Sequence, residues 1–120
     1  MSPESAAELM WLIQDVHVRD WVLADLSHHV DAARVDNLVD LALSAPDHLR
    51  PRLAGAAAAA LVMCGDSPVA LWAMADHAGD DSLAQLAVQA VRGCIPPEEI
   101  RAVFARAGLQ LRVRMAESAA

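Results

Sequence analysis

The sequence predicts an all-α fold, an antiparallel stack of about seven short helices. Composition gives the first reason: 56% of the 120 residues are hydrophobic but only 3% are aromatic, so alanines and aliphatic side chains must fill the core. Such a core suits closely packed helices. The second reason is that Gly65, Gly79 and Gly93 recur at one interval, each placed to end a helix in the left-handed conformation. Ser, Asp or Pro residues follow them, as at helix starts.

These signals divide the second half of the chain into four helices, at residues 51–64, Pro68–Ala78, Ser82–Arg92 and 97–107. The first of them almost lacks polar side chains, so we expect other helices to surround it. Within it, Gly55 and Ala59 permit close approach of a neighbour. We also expect the second helix to be covered on both sides, including Val69 and Trp72. The last two carry apolar stripes that we expect to face inward: Leu83, Leu86, Ala87, Ala90 and Val91, then Ile100, Val103, Phe104 and Ala107.

Three more helices are predicted in the first half, at about residues 3–14, at about 16–27 with Trp21 facing inward, and from Asp31 to just before Ala45. On the first helix, Trp11 points away from the stripe of Leu9 and Ile13. An exposed tryptophan often marks an interface, which makes Trp11 a candidate interface residue. The alternative is that the first helix is covered on both sides.

The end of the chain shows a different pattern. Its apolar residues alternate with polar ones, and a period of two favours an extended strand. We therefore divide the chain into a helical domain at residues 1–108 and an extended tail at 109–120. Because no other segment predicts a strand, this one needs a partner chain, through β-pairing with a second copy or another protein. The apolar residues of the tail are accordingly candidate interface residues: Leu109, Leu111, Val113 and Met115.

Charge and apolar run length exclude two classes of partner. The formal net charge of −7 argues against binding to a phosphate backbone. Asp80 and Asp81 would meet phosphates at the start of any helix-turn-helix recognition helix. The longest apolar run is too short to span a bilayer, and the acidic N-terminal segment lacks the features of a signal peptide. We expect a cytoplasmic protein that binds neither nucleic acid nor membrane.

No residue is assigned a catalytic, cofactor-binding or metal-binding role. His28 and His29 precede Asp31, but neither they nor the other histidines show the spacing of a zinc site. The helices that end at Cys64 and at Arg92, just before Cys94, run in the same direction, which places both thiols at one end of the stack. In a cytoplasmic protein we expect both to be reduced.

The order of these signals resembles a known family. Near the start, residues 18–20 are valine, arginine and aspartate, and Gly65 and Asp66 later end the alanine-rich helix. A helix that begins with serine, leucine and alanine then starts at Ser82, and Pro96 and Pro97 follow it. This pattern resembles the C-terminal helical half of an actinobacterial family catalogued as domain of unknown function 4192. The resemblance implies tetratricopeptide-like hairpins and carries over no catalytic residue. Cys94 departs from the family pattern, and these 120 residues do not include the α/β region that usually precedes the helical half.

The sequence therefore predicts a non-enzymatic helical interaction module that binds a protein partner or a second copy of itself. Its composition and the resemblance indicate an actinobacterium, or a phage of one, as the source. The alternative is a small ligand-binding or enzymatic domain with a pocket between the helices, which requires polar side chains pointing inward.

Overall fold

The protein is a stack of seven helices in its computed structural model, which describes residues 2–64 and 68–119. Within these residues no strand forms, which confirms the all-α prediction. The bounds lie within two residues of those predicted, except at the end of the chain. The helices are α1 (Pro3–Leu12), α2 (Val16–His28), α3 (Ala32–Ser44), α4 (Arg50–Cys64), α5 (Pro68–Ala78), α6 (Ser82–Arg92) and α7 (Pro97–Ala119).

Helix α4 is the core of the molecule. Every residue from Leu53 to Met63 is buried, and α2, α3, α5, α6 and α7 all pack against α4. This confirms the expectation that other helices surround it. Gly55 does permit a close approach, but the approaching group is the carboxylate of Asp81 rather than a backbone. The tetratricopeptide-like form of the hairpins stays a prediction.

Two glycines that were expected to end helices differ in conformation. Gly79 has a φ of 60° and ends α5 as predicted, whereas Gly93 has a φ of −82°. The left-handed residue after α6 is Cys94, with a φ of 55°. The N–H of Ile95 donates to the carbonyl of Ala90 (3.0 Å). The hydrogen bond that normally ends a helix therefore forms, although the left-handed position is occupied by a residue with a side chain. Gly65 lies outside the described residues.

The predicted strand is wrong, because residues 109–119 continue α7. Gly108 does not end the helix; it is buried where α7 crosses α2, and a β-carbon there would collide with that of Ala24. A helix satisfies its own backbone donors and acceptors, whereas a lone strand cannot. The chain therefore has no boundary at residue 108, and β-pairing of the tail is excluded as its mode of association.

Several apolar side chains that were expected to be covered are instead exposed. On α2 this holds for Trp21, and on α5 for Val69 and Trp72. The guanidinium of Arg92 lies 5.5 Å from the centre of the Trp72 ring. Helix α5 is thus buried on one side, through Leu71 and Met74, and is not sandwiched.

Candidate interaction surface

An apolar groove runs between α6 and α7. Both helices pack against α4 but contact each other at few points, so α4 forms the floor of the space between them. The groove has a cavity volume of about 280 Å³. Gln89 is the one polar side chain among the described residues that line it, which are Ala59, Val62, Leu83, Leu86, Ala87, Gln89, Ala90, Ile95, Ile100, Val103 and Phe104.

The walls of this groove include two side chains that the sequence places in inward-facing stripes. Leu86 of α6 is 59% exposed and Val103 of α7 is 54% exposed. Their stripe neighbours Ala87 and Phe104 are buried or half-buried against α4. The prediction that Leu86 and Val103 face the core is therefore wrong. Their stripes are wider than α4 can cover, because α6 and α7 stand apart.

Four of the predicted interface residues lie on α7, and the helix divides them between two faces. Leu111 is half-buried, and Met115, four residues later, continues its face beyond the body of the molecule, where it is exposed. Leu109 and Val113 form a second pair on the opposite face, 61% and 50% exposed. Leu109, Val113 and Met115 are thus exposed, and the idea that all four residues share one face is wrong. Their role in an interface stays a prediction.

Trp11, the fifth predicted interface residue, lies on a separate surface. It is 64% exposed, in contrast to Ile13, which is fully buried two residues later. Its ring meets His48 edge to face, with ring centroids 6.1 Å apart. No α1 residue lines the groove, so Trp11 and the exposed residues of α7 are not parts of one site.

The charges along α7 are unevenly distributed. Glu98 and Glu99 lie exposed in its first turn, and Arg106, Arg112 and Arg114 lie exposed in its middle and last part. Arg101 differs, because its Nη1 donates to the carbonyl oxygen of Met63 (2.6 Å). That bond ties α7 to the last turn of α4 and satisfies a helix-end carbonyl.

The described residues offer little for acid–base or metal chemistry. In this part of the chain no three His, Cys, Asp or Glu side chains come together in a way that could hold a metal ion. His28 and His29 lie exposed at the end of α2. Cys94 lines one depression together with Leu61 and Val62, near the end of α4 that carries Cys64, in agreement with the prediction that both thiols lie at one end of the stack.

Sequence reasoning missed three residues of this surface: Leu86, Ile95 and Val103. The apolar stripes did mark Leu86 and Val103 as needing cover, but they could not show that the cover was absent. Ile95 lies in the turn after α6, where periodicity carries no information.

Comparison with known proteins gave no match: no family model, no curated protein and no solved structure is similar to this chain. The resemblance to domain of unknown function 4192 therefore stays a prediction. Among the described helices, none combines the length and the apolar character needed to cross a membrane.

Proposed function

We propose that the protein is a non-enzymatic helical interaction module, which binds a protein partner or a second copy of itself through α6 and α7. The observation that carries the proposal is the uncovered groove wall formed by Leu86 and Val103. Large exposed apolar side chains grouped around an apolar depression are typical of protein-binding surfaces.

The chemistry of the lining supports a binding role over a catalytic one. An active site needs polar groups that converge on a reacting atom, and Gln89 alone among the described lining residues is polar. An apolar groove between two helices suits a helix of a partner, which would supply apolar side chains at helical spacing. We also propose a cytoplasmic location, and an actinobacterium or one of its phages as the source. Composition and the family resemblance support the proposed source.

Substitution of the groove walls tests this function. We expect the double variant Leu86→Ser/Val103→Ser to keep its helix content, because both side chains are exposed. It should lose the binding that the groove provides, either capture of a partner or self-association through the groove. Leu43→Ser, also at an exposed leucine but on α3, is the matched control and should bind as the wild type does. The measurements are the mass by light scattering and capture from an actinobacterial lysate. Equal binding by the groove variant and the wild type would contradict the proposal.

A second candidate is a small apolar ligand, favoured by the size of the groove. Its volume of about 280 Å³ is just below the roughly 300 Å³ at which the range for ligand pockets begins. A fluorescent probe of apolar surfaces, such as anilinonaphthalene sulfonate, should then bind to the wild type and to Leu43→Trp. It should not bind to Val103→Trp, where the larger ring fills the groove. Equal fluorescence from the three proteins would exclude this candidate.

A further inference from the structure

We propose that two copies of this chain pair through α7, with the two helices antiparallel across a two-fold axis. This inference rests on the proposed function, because it names a second copy as a partner, but it uses a face of α7 outside the groove, so the two proposals can fail separately. The surface concerned is a stripe along α7, called here the outer stripe. Its members are Glu98, Glu99, Ala102, Arg106, Leu109, Arg112 and Val113, and all seven are exposed.

The spacing of the outer stripe is that of a helix pair. Glu99, Ala102, Arg106, Leu109 and Val113 follow one another at alternating steps of three and four residues, which places them on one face. The middle of this face, at Ala102 and Arg106, points away from Phe104 and Gly108, through which α7 packs on the body of the protein. Along one edge, Arg106, Leu109 and Arg112 line a depression with Ala24 and His28 of α2, and all three stay exposed there. At about 1.5 Å per residue, the seam from Glu98 to Val113 is about 23 Å long.

The charges of the stripe favour an antiparallel pair. Glu98 and Arg112 flank the same edge of the seam, two heptads apart. In an antiparallel pair, Glu98 of each copy can face Arg112 of the other, so that two ion pairs form. A parallel pair would place like charges together at both positions, which is unfavourable. The same register brings the exposed Val113 of one copy near the exposed Ile95 of the other, and so extends the contact toward the groove.

The distribution of charge along the whole chain also favours contact through α6 and α7. Residues 1–81 hold four arginines and thirteen acidic residues, a net charge of −9, whereas residues 82–120 hold five arginines and three glutamates, a net charge of +2. Two copies of a protein of charge −7 repel each other least when they meet through α6 and α7.

Arg106 lies close to the proposed two-fold axis. The two guanidinium groups would repel each other, although their apolar stems can pack over Ala102 of the opposite copy. A charged residue at one seam position weakens a helix pair while restricting its register. The substitution Arg106→Leu should therefore tighten the dimer, which a merely solvent-exposed arginine would not do.

A charge-exchange experiment tests the pairing. Glu98→Arg and Arg112→Glu are each purified, and the mass is measured by sedimentation equilibrium for each variant alone and for an equimolar mixture. Each variant alone faces like charges at both contacts and should dimerise about tenfold or more weakly than the wild type. In the mixture both contacts are opposite in charge, so the heterodimer should regain wild-type affinity. Asp40→Arg on α3, an exposed position away from α7, is the control for net charge and should not affect dimerisation.

Several outcomes would overturn the proposal: a wild type that stays monomeric at hundreds of micromolar, single variants that dimerise as the wild type does, or a mixture that does not recover. Far-UV circular dichroism checks that each variant keeps its helices. If Glu98→Arg unfolds the start of α7, Leu109→Ser is measured in its place. Loss of the dimer in Leu109→Ser supports the proposal, and an unchanged dimer rejects it. A dimer that resists these changes but is lost in Leu86→Ser/Val103→Ser would leave the proposed function standing.

Discussion

The carboxylate of Asp81 occupies the space beside Gly55 of α4 that a β-carbon at position 55 would fill. The same carboxylate caps α6, because its Oδ2 accepts hydrogen bonds from the N–H groups of Leu83 (3.2 Å) and Ala84 (3.3 Å). Gly55 therefore lets α6 begin directly against α4, and this contact helps set where the groove between α6 and α7 lies.

Gly55→Ala tests this relationship. A methyl group at position 55 should displace the Asp81 carboxylate, so that the cap is lost and the core is overpacked, at a cost of about 1 to 3 kcal/mol in the free energy of unfolding. Chemical denaturation measures that cost. In an Asp81→Ala background the carboxylate is absent, and Gly55→Ala should then cost little. Equal costs in the two backgrounds would show that Gly55 and Asp81 are not coupled.

The crossing of α2 and α7 makes a similar prediction at Gly108. In Gly108→Ala the new methyl group meets that of Ala24, so the helices must separate, and we expect a loss of about 1 to 3 kcal/mol. Without this contact, alanine in a helix would be about 1 kcal/mol more favourable than glycine. Adding Ala24→Gly should recover part of the loss in thermal melts. A Gly108→Ala protein more stable than the wild type would contradict the close crossing.

Cys94 offers a stabilising substitution. Its left-handed backbone conformation is strained for a residue with a β-carbon and is natural for glycine. We expect Cys94→Gly to raise the free energy of unfolding by about 0.5 to 1 kcal/mol, after allowance for the greater freedom of glycine in the unfolded chain. Cys94→Ala removes the thiol but keeps the β-carbon, so it should bring no such gain. If Cys94→Ala raised the free energy of unfolding as much as Cys94→Gly, loss of the thiol and not relief of backbone strain would explain the gain.

The packing around α4 predicts that it tolerates no added volume. Ala60 is fully buried, so Ala60→Leu should overpack the core and cost about 1 to 3 kcal/mol. Ala7 on α1 is exposed, and Ala7→Leu should change stability by no more than about 0.5 kcal/mol. Denaturation of both variants gives the comparison. A core variant as stable as the control would mean that α4 is not enclosed.

Local chemistry explains why most of the fold could be predicted. Ser2, Asp31 and Asp81 each accept a hydrogen bond at the start of a helix, as their side chains dictate. The all-apolar face of α4 likewise required burial. Such signals lie within a few residues of sequence and need no knowledge of the rest of the chain.

The end of α7 could not be predicted in the same way. Alternation from Leu109 to Met115 is compatible with a strand, but also with a helix that has apolar residues on two faces. In the sequence Gly108 predicts the end of a helix, but in the structure it allows α7 to pass close to Ala24 of α2. That contact is between residues far apart in the chain. The spacing between α6 and α7, which leaves Leu86 and Val103 uncovered, also depends on how distant parts of the chain pack. Periodicity identifies a face that needs cover but not whether cover is present.

A zero-length cross-link tests the antiparallel α7 pair most directly. The chain contains no lysine, so Arg112→Lys introduces its one lysine amine while keeping the charge. Positions 98 and 112 lie about 21 Å apart along one helix, which a carbodiimide-formed amide cannot bridge within a chain. We predict a covalent dimer of twice 12.8 kDa, with peptides joined between the introduced lysine and Glu98. No covalent dimer, or a dimer joined through other carboxylates and never through Glu98, would contradict the account.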